Sequence, residues 1–289
     1  MRQERTKNVV FRGMTAEDIP AGVLLCRLSG WNQLDADWRV FLRCSSKGCL
    51  VAERFGQVVG TVATIRYADR FTWLSMLLVD PQERGKGIGT QLLQHGLAIV
   101  GDGQCCRLDA TPAGRQIYSR HLFVDEYSLS RMTSAADFRR FPSRSAGTRP
   151  MREPDLSEIV SQDFTIFGAD RTGLLLDLFT RAPEYARVLE KNGRIEGYML
   201  GRPGFLYSQL GPIVASDEDG ARQLLIDCID AHRGGRFAID AQRLALPWIA
   251  WLKATGFSEE RSYVRMYRGE NRYPGLPEKQ FAVLGPEFG

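Results

Sequence analysis

The stretch from Val79 to Leu93 limits this chain more than any other part of its sequence. An apolar run, Leu74 to Val79, stops at Pro81, and three alternating glycines follow (Gly85, Gly87 and Gly89). A helical pattern begins at Thr90. Glycine lets a backbone turn tightly and approach a ligand closely. A helix start behind the turn offers unpaired N–H groups and the positive end of a dipole. With Arg84 and Lys86 inside the loop, the combination is a seat for phosphate or pyrophosphate. A Walker-type loop is excluded, because no Gly-Lys-Ser/Thr closes it. A dinucleotide fingerprint fits poorly, since no acidic residue follows a second strand at the required distance.

The loop resembles motif A of the GNAT superfamily of N-acetyltransferases, in which an Arg/Gln-x-x-Gly-x-Gly/Ala turn grips the pyrophosphate of acetyl-CoA. Arg84, Gly87 and Gly89 stand at those places, behind Leu77-Leu78-Val79. The similarity runs over about 130 residues. It begins with the entry strand and helix start from Phe11 to Ile19. It continues through a strand at Leu108-Asp109-Ala110-Thr111, a short helix carrying Tyr118, then Phe123 and a last strand ending at Arg131-Met132.

The resemblance implies acetyl-CoA as co-substrate and no metal. It assigns pyrophosphate contacts to Arg84, Gly85, Lys86, Gly87, Ile88, Gly89 and Thr90, and pantetheine pairing to the backbone of Leu77, Leu78 and Val79. Thr111 stands where many relatives carry a pantetheine-bonding asparagine, and Tyr118 becomes the general acid for the departing thiolate. A neutral phenol suits that task, because its pKa lies near or above that of a thiol. Leu122-Phe123 replaces the family's Gly-Phe. For the proton leaving the amine, Glu53, Asp69 and Asp109 are candidates, as is a relay through water. The segment Trp31 to Trp38, with two tryptophans and two aspartates, offers ring faces and charge for a cationic amine. The competing use of those aromatics is packing against the second domain. Trp248 and Trp251, three apart, read as core or interface residues.

A chain of 289 residues is comfortable for two domains, and an internal repeat supports that count. Residues 51–60 and 188–197 share a strand–turn–strand pattern, the second with an Asn-Gly hairpin signal. Leu108-Asp109-Ala110 is echoed by Ile239-Asp240-Ala241, and Arg131-Met132 by Arg265-Met266. A polar, proline-bounded linker at 141–150 separates the halves. The expected organisation is a catalytic acetyl-CoA-binding domain at 1–140, the linker, and a degenerate domain at 151–289. The fold expected is α/β (α+β), two tandem GNAT folds, each a mixed, mainly antiparallel twisted sheet flanked by helices.

Aligning Gln91-Leu92-Leu93 with Gln223-Leu224-Leu225 lays residues 216–221 over the glycine loop. The arginine and two glycines are gone there, and Asp217, Glu218 and Asp219 have arrived. Carboxylates suit a helix start but repel a pyrophosphate. The second half is therefore expected to cover the first domain's cleft, shape the substrate pocket or mediate a homodimer.

Composition sets outer limits. A net charge of +4 is too mild to argue for nucleic acid. No segment has the length of a membrane span, and the first ten residues do not read as a secretion signal. Six cysteines without Cys-x-x-Cys spacing and three histidines argue against zinc and for free thiols in a reducing cytosol, hence a cytoplasmic setting. Together these readings point to an N-acetyltransferase acting on a small-molecule or protein amine. Two alternatives stand beside it: a non-catalytic acyl-CoA sensor or interaction module, and an acyltransferase using a longer acyl-CoA.

Overall fold

The structure, a computed structural model, describes residues 8–135, 147–232 and 234–289. Residues 141–146 of the expected linker lie outside the described residues. Two compact units are distinguished. One holds the residues up to Leu108 with Arg268–Glu270 and Phe288, and the other runs from Asp109 to Tyr267 with Asn271–Glu287 and Gly289.

In the first unit, β1 (Val9–Gly13), β2 (Cys49–Arg54), β3 (Gln57–Tyr67) and β4 (Phe71–Val79) form an antiparallel sheet in chain order. β5 (Cys106–Ala110) joins it parallel to β4. The helices α1 (Ile19–Leu28), α2 (Asp35–Cys44) and α3 (Ile88–Val100) pack on it. α3 lies close to the sheet because glycines stand at the contact on both sides: a Cβ on Gly60 of β3 would stand 2.8 Å from Leu92 Cδ1 of the helix, and one on Gly96 of the helix 3.2 Å from Leu74 Cδ1 of β4. Trp38, Phe41, Trp73, Leu92 and Leu93 fill the core.

The second unit carries α4 (Pro112–Ser119), β6 (Val124–Ser134), β7 (Thr148–Pro150), α5 (Leu156–Phe167), α6 (Thr172–Arg181), β8 (Arg187–Lys191) and β9 (Arg194–Arg202). β10 (Ser208–Ala215), α7 (Glu218–Ala231), β11 (Phe237–Gln242), α8 (Leu246–Ala254), β12 (Phe257–Arg268) and β13 (Gln280–Ala282) follow. Its strands run β12-β6-β11-β13-β10-β9-β8-β7. Leu189, Leu224, Leu225, Trp248, Leu252 and Phe281 belong to its core.

The repeat expected from the sequence is present down to single hydrogen bonds. Arg12 Nη1 and Nη2 hold the Asp18 carboxylate at 2.7 and 2.9 Å, and its Nε holds Glu53 at 2.8 Å. Arg149 makes the same three contacts, at the same distances, with Asp155 and Glu190. In each case the aspartate turns the entry strand into the first helical turn by accepting a backbone N–H three residues earlier, from Thr15 or Arg152. The β2–β3 and β8–β9 hairpins turn through Phe55-Gly56 and Asn192-Gly193, all four with positive φ. This is the backbone that a two-residue type I′ turn demands.

The closing strands are arranged in a way the repeat alone does not imply. β6, from the first half of the sequence, pairs antiparallel with both β12 and β11 of the second half. Two buried ion pairs follow the exchange. Asp109 receives Nε and Nη2 of Arg265 at 2.8 and 2.9 Å, and Asp240 receives Nε and Nη2 of Arg131 at 2.9 and 2.8 Å. Each repeat's aspartate is thus neutralised by the other repeat's arginine.

Candidate active site

The site begins where β4 leaves β5. The parallel ladder between them is confined to Thr72 opposite Cys106 and Trp73 opposite Arg107. Beyond it, β4 carries one extra residue relative to β3, between Ser75 and Leu78. Met76 sits there in the left-handed region (φ 52°), and its carbonyl accepts the Thr61 hydroxyl at 2.8 Å. A bulge of this kind re-aims the strand that follows. The expected pantetheine segment, Leu77, Leu78 and Val79, is that re-aimed stretch, paired with β3 on one edge and past the β5 ladder on the other. Side chains matter little on such an edge, which fits its apolar composition.

The loop follows at once. Asp80 caps a short turn by accepting the Gln82 N–H at 2.8 Å. Gly85 (φ 75°) and Gly87 (φ 90°) take conformations costly for any residue with a Cβ. α3 starts at Ile88, two residues earlier than the sequence pattern suggests, with Gly87 as its N-cap. Gln91 is the first residue to bond back, to the Gly87 carbonyl at 3.1 Å. The N–H groups of Ile88, Gly89 and Thr90 therefore have no acceptor within the helix, and Gly87 has no side chain to supply one. Gly89 faces Val79 of the strand, and a Cβ there would only make ordinary contact with Val79 Cγ2 at 3.4 Å.

The two cations of the loop are held differently. Arg84 donates from Nε to the Val79 carbonyl (3.1 Å) and from Nη2 to the Ser29 hydroxyl (3.4 Å), remaining exposed. Lys86 pairs with Glu83 at 2.9 Å, and Arg54 reaches the same carboxylate at 2.5 Å. The Lys86 ammonium, then the Arg54 guanidinium, hold the Glu83 carboxyl below the usual carboxylate range. The charge of Lys86 is accordingly shared with a carboxylate, which the glycine spacing does not reveal.

Thr111 and Tyr118 belong to the second unit. The Thr111 hydroxyl caps α4 by accepting the Gly114 N–H at 3.1 Å, so it has a structural task of its own. Pro112 occupies the first helical turn, where its missing N–H costs nothing. Gly114 makes room for Tyr118: a Cβ there would lie 3.0 Å from the tyrosine ring. The half-buried ring meets Phe123 edge-on at 5.8 Å. The helix entry Ala-Thr-Pro-Ala-Gly is thus fitted to the tyrosine one turn later.

Several sequence candidates are spent on structure. The Asp109 side chain is fully buried against Arg265, and Glu53 is bonded to Arg12, so neither is a free base. Trp38 is wholly buried and cannot present a face to a cation. Asp37 accepts the Leu34 N–H at 2.8 Å and Asp35 pairs with Arg39 at 2.6 Å, which leaves both aspartates engaged. Trp248 stacks on Trp251 in the core, as expected, and donates to the Phe281 carbonyl at 2.9 Å. No group of three or more metal-ligating side chains occurs among the described residues.

Two family models match the chain, one for the acetyltransferase (GNAT) family over residues 23–124 and one for an acetyltransferase (GNAT) domain over residues 159–282. The chain belongs to the GNAT superfamily. It is a tandem GNAT acyltransferase, with one family match in each half. Holothin acyltransferase of Pseudoalteromonas sp. (strain SANK 73390) is 25% identical over 260 residues, covering 90% of this chain and 87% of that one. A candidate acetyltransferase of Pyrococcus horikoshii superposes with a TM-score of 0.83 at 23% identity, over 98% of this chain and 96% of that one. A tandem GNAT protein from the clavulanic acid biosynthesis pathway gives 0.63 at 16% identity, over 90% and 98%. The two GNAT repeats differ at the helix start that matters: Asp217 caps α7 by accepting the Gly220 N–H at 2.8 Å, whereas α3 has no side-chain cap. No helix among the described residues is long and apolar enough to cross a membrane.

Proposed function

We propose that this GNAT protein transfers an acetyl group from acetyl-CoA to a primary amine by direct attack while both are bound. The observation that carries the proposal is the uncapped start of α3 behind Gly85 and Gly87, placed directly after the freed edge of β4. Arg84, Lys86 and the amides of Ile88, Gly89 and Thr90 would take the pyrophosphate. The backbone of Leu77, Leu78 and Val79 would pair with the amide-bearing arm. A main-chain N–H of that edge would polarise the thioester carbonyl and stabilise the oxyanion that forms there.

In the transfer step the amine nitrogen bonds to the thioester carbon and the C–S bond breaks. The sulfur takes a proton from the Tyr118 hydroxyl, the amine's surplus proton passes to water, and the Tyr118 phenolate recovers a proton from solvent, so no net proton is lost. The test is Tyr118→Phe in a thiol-release assay: kcat should fall about 10²-fold or more, as for loss of a general acid, with acetyl-CoA affinity nearly unchanged. Equal losses in both would demote Tyr118 to a binding residue. Binding without amine-dependent thiol release would sink the enzyme reading in favour of a sensor. The relation to holothin acyltransferase supports a second reading of the donor, a longer acyl-CoA on the same machinery. A panel of acyl-CoA chain lengths separates the two.

A further inference from the structure

The second repeat contains a copy of the gap that opens after the β4–β5 ladder. β10 and β11 run parallel and pair only at Ser208 opposite Phe237 and Gln209 opposite Ala238, then part. As in β4, the register against the neighbouring antiparallel strand breaks just beyond, here between Leu210 and Ile213. In this repeat the gap is filled by the chain itself. β13 pairs antiparallel with β10, Ala282 opposite Ile213 and Gln280 opposite Val214, and with β11, Ala282 opposite Ala241. The next residue continues the seam, Val283 donating its N–H to the Asp240 carbonyl at 3.0 Å.

The filling strand is seated tightly. A Cβ on Gly211 would stand 2.0 Å from the Val283 carbonyl oxygen, so β10 carries glycine where that oxygen arrives. Trp248 fixes the strand from the core side through the Phe281 carbonyl. Phe281, Ala282 and Val283 are all buried. Beside the gap, the α7 start is occupied by the Asp217 carboxylate, with Glu218 and Asp219 in its first turn.

We infer that the second repeat is a closed copy of the cofactor cleft, in which β13 takes the backbone edge that a pantetheine arm would need. It accepts no acyl-CoA, and a chain carries one CoA molecule at most. The inference rests on the reading of the first repeat as the CoA site only for the count of one. Two obstacles act independently: the backbone edge is already hydrogen-bonded, and the anion seat already holds carboxylates that repel a diphosphate.

The test is calorimetric titration of the full chain with CoA, alongside Gly87→Trp, read together with amide exchange by mass spectrometry. One CoA per chain for the natural sequence and none for Gly87→Trp are expected. Exchange should slow on CoA addition at residues 77–79 and stay unchanged at 213–215. Two CoA per chain, or residual binding in Gly87→Trp with slowed exchange at 213–215, would overturn the inference. No binding by either protein would defeat the cofactor reading of the first repeat and still leave the second cleft closed as inferred.

Discussion

The crosswise ion pairs give the sharpest test of this architecture. Arg265 and Asp109 have side chains 2% and 0% exposed, joined by two hydrogen bonds of 2.8 and 2.9 Å. Arg265 also donates Nη1 to the Tyr127 hydroxyl at 2.6 Å. Replacing Arg265 by Met leaves a carboxylate buried without its cation, a loss of about 3–5 kcal/mol, whereas apolar replacement of both partners is often close to neutral. Arg265→Met alone should therefore lower the thermal midpoint by about 6–20 °C, taking roughly 2–4 °C per kcal/mol for a chain of this size. The Asp109→Leu/Arg265→Met double variant should recover most of that. Urea unfolding followed by circular dichroism closes the cycle; with single losses of about 3–5 kcal/mol and a double variant close to neutral, a coupling of about 3 kcal/mol or more is expected. Turnover per folded double-variant molecule should stay within a few-fold of the natural protein. Were Asp109 the proton acceptor, the loss would be roughly 10²–10⁴-fold at restored stability. Single-variant losses that simply add in the double would refute the pairing argument.

Other outcomes are expected from single positions. Gly87→Trp should abolish CoA binding in calorimetry, because a side chain at φ 90° would both strain the turn and fill the phosphate seat. Leu122 holds φ 67° with 75% of its surface exposed, at the place where the family carries glycine. Leu122→Gly should raise stability to urea by about 1 kcal/mol by relieving the left-handed strain, and no gain would contradict that conformation. The Arg12 guanidinium holds the Asp18 carboxyl below its ordinary value of 3.8. Its stabilising contribution is then constant above that pH and lost as pH falls through the lower folded value. Asp18→Asn should flatten the acid limb of the stability profile while lowering stability at neutral pH.

What could be read from the sequence followed from local chemistry. The strand–glycine–helix passage at 79–93 has few backbone solutions, and the Asn192-Gly193 turn has one. Of the carboxylates at 217–219, Asp217 caps the helix and the other two stand in its first turn, as carboxylates do. Hidden features depend on which of two equivalent partners is chosen. Arg131-Met132 and Arg265-Met266 are the same dipeptide in the same pattern, so nothing local says which arginine meets Asp109. The Arg12–Asp18–Glu53 arrangement and its twin at Arg149, Asp155 and Glu190 were present as an Arg-x-Met-x-x-x-Asp spacing in both halves, a signal available but weak beside the louder glycine loop. β13 was beyond sequence reading, because a three-residue strand has no periodicity.

The exchange of closing strands explains why a repeat without a phosphate loop persists. Its loop positions Asp217, Glu218 and Asp219 cap α7 or pair with Arg222 on the same helix. Unlike Gly220, which is held by Leu189, 2.8 Å from where its Cβ would stand, they can change without disturbing the sheet. Its last strand cannot. β12 pairs along the length of β6 and supplies Arg265 to Asp109, while β11 supplies Asp240 to Arg131. Losing the second half would leave Asp109 buried without a cation and β6 without either neighbour, a cost of several kcal/mol in the ion pair alone. The halves are therefore bound to each other by charge complementarity that neither can satisfy within itself, and the cofactor chemistry is free to concentrate in one of them.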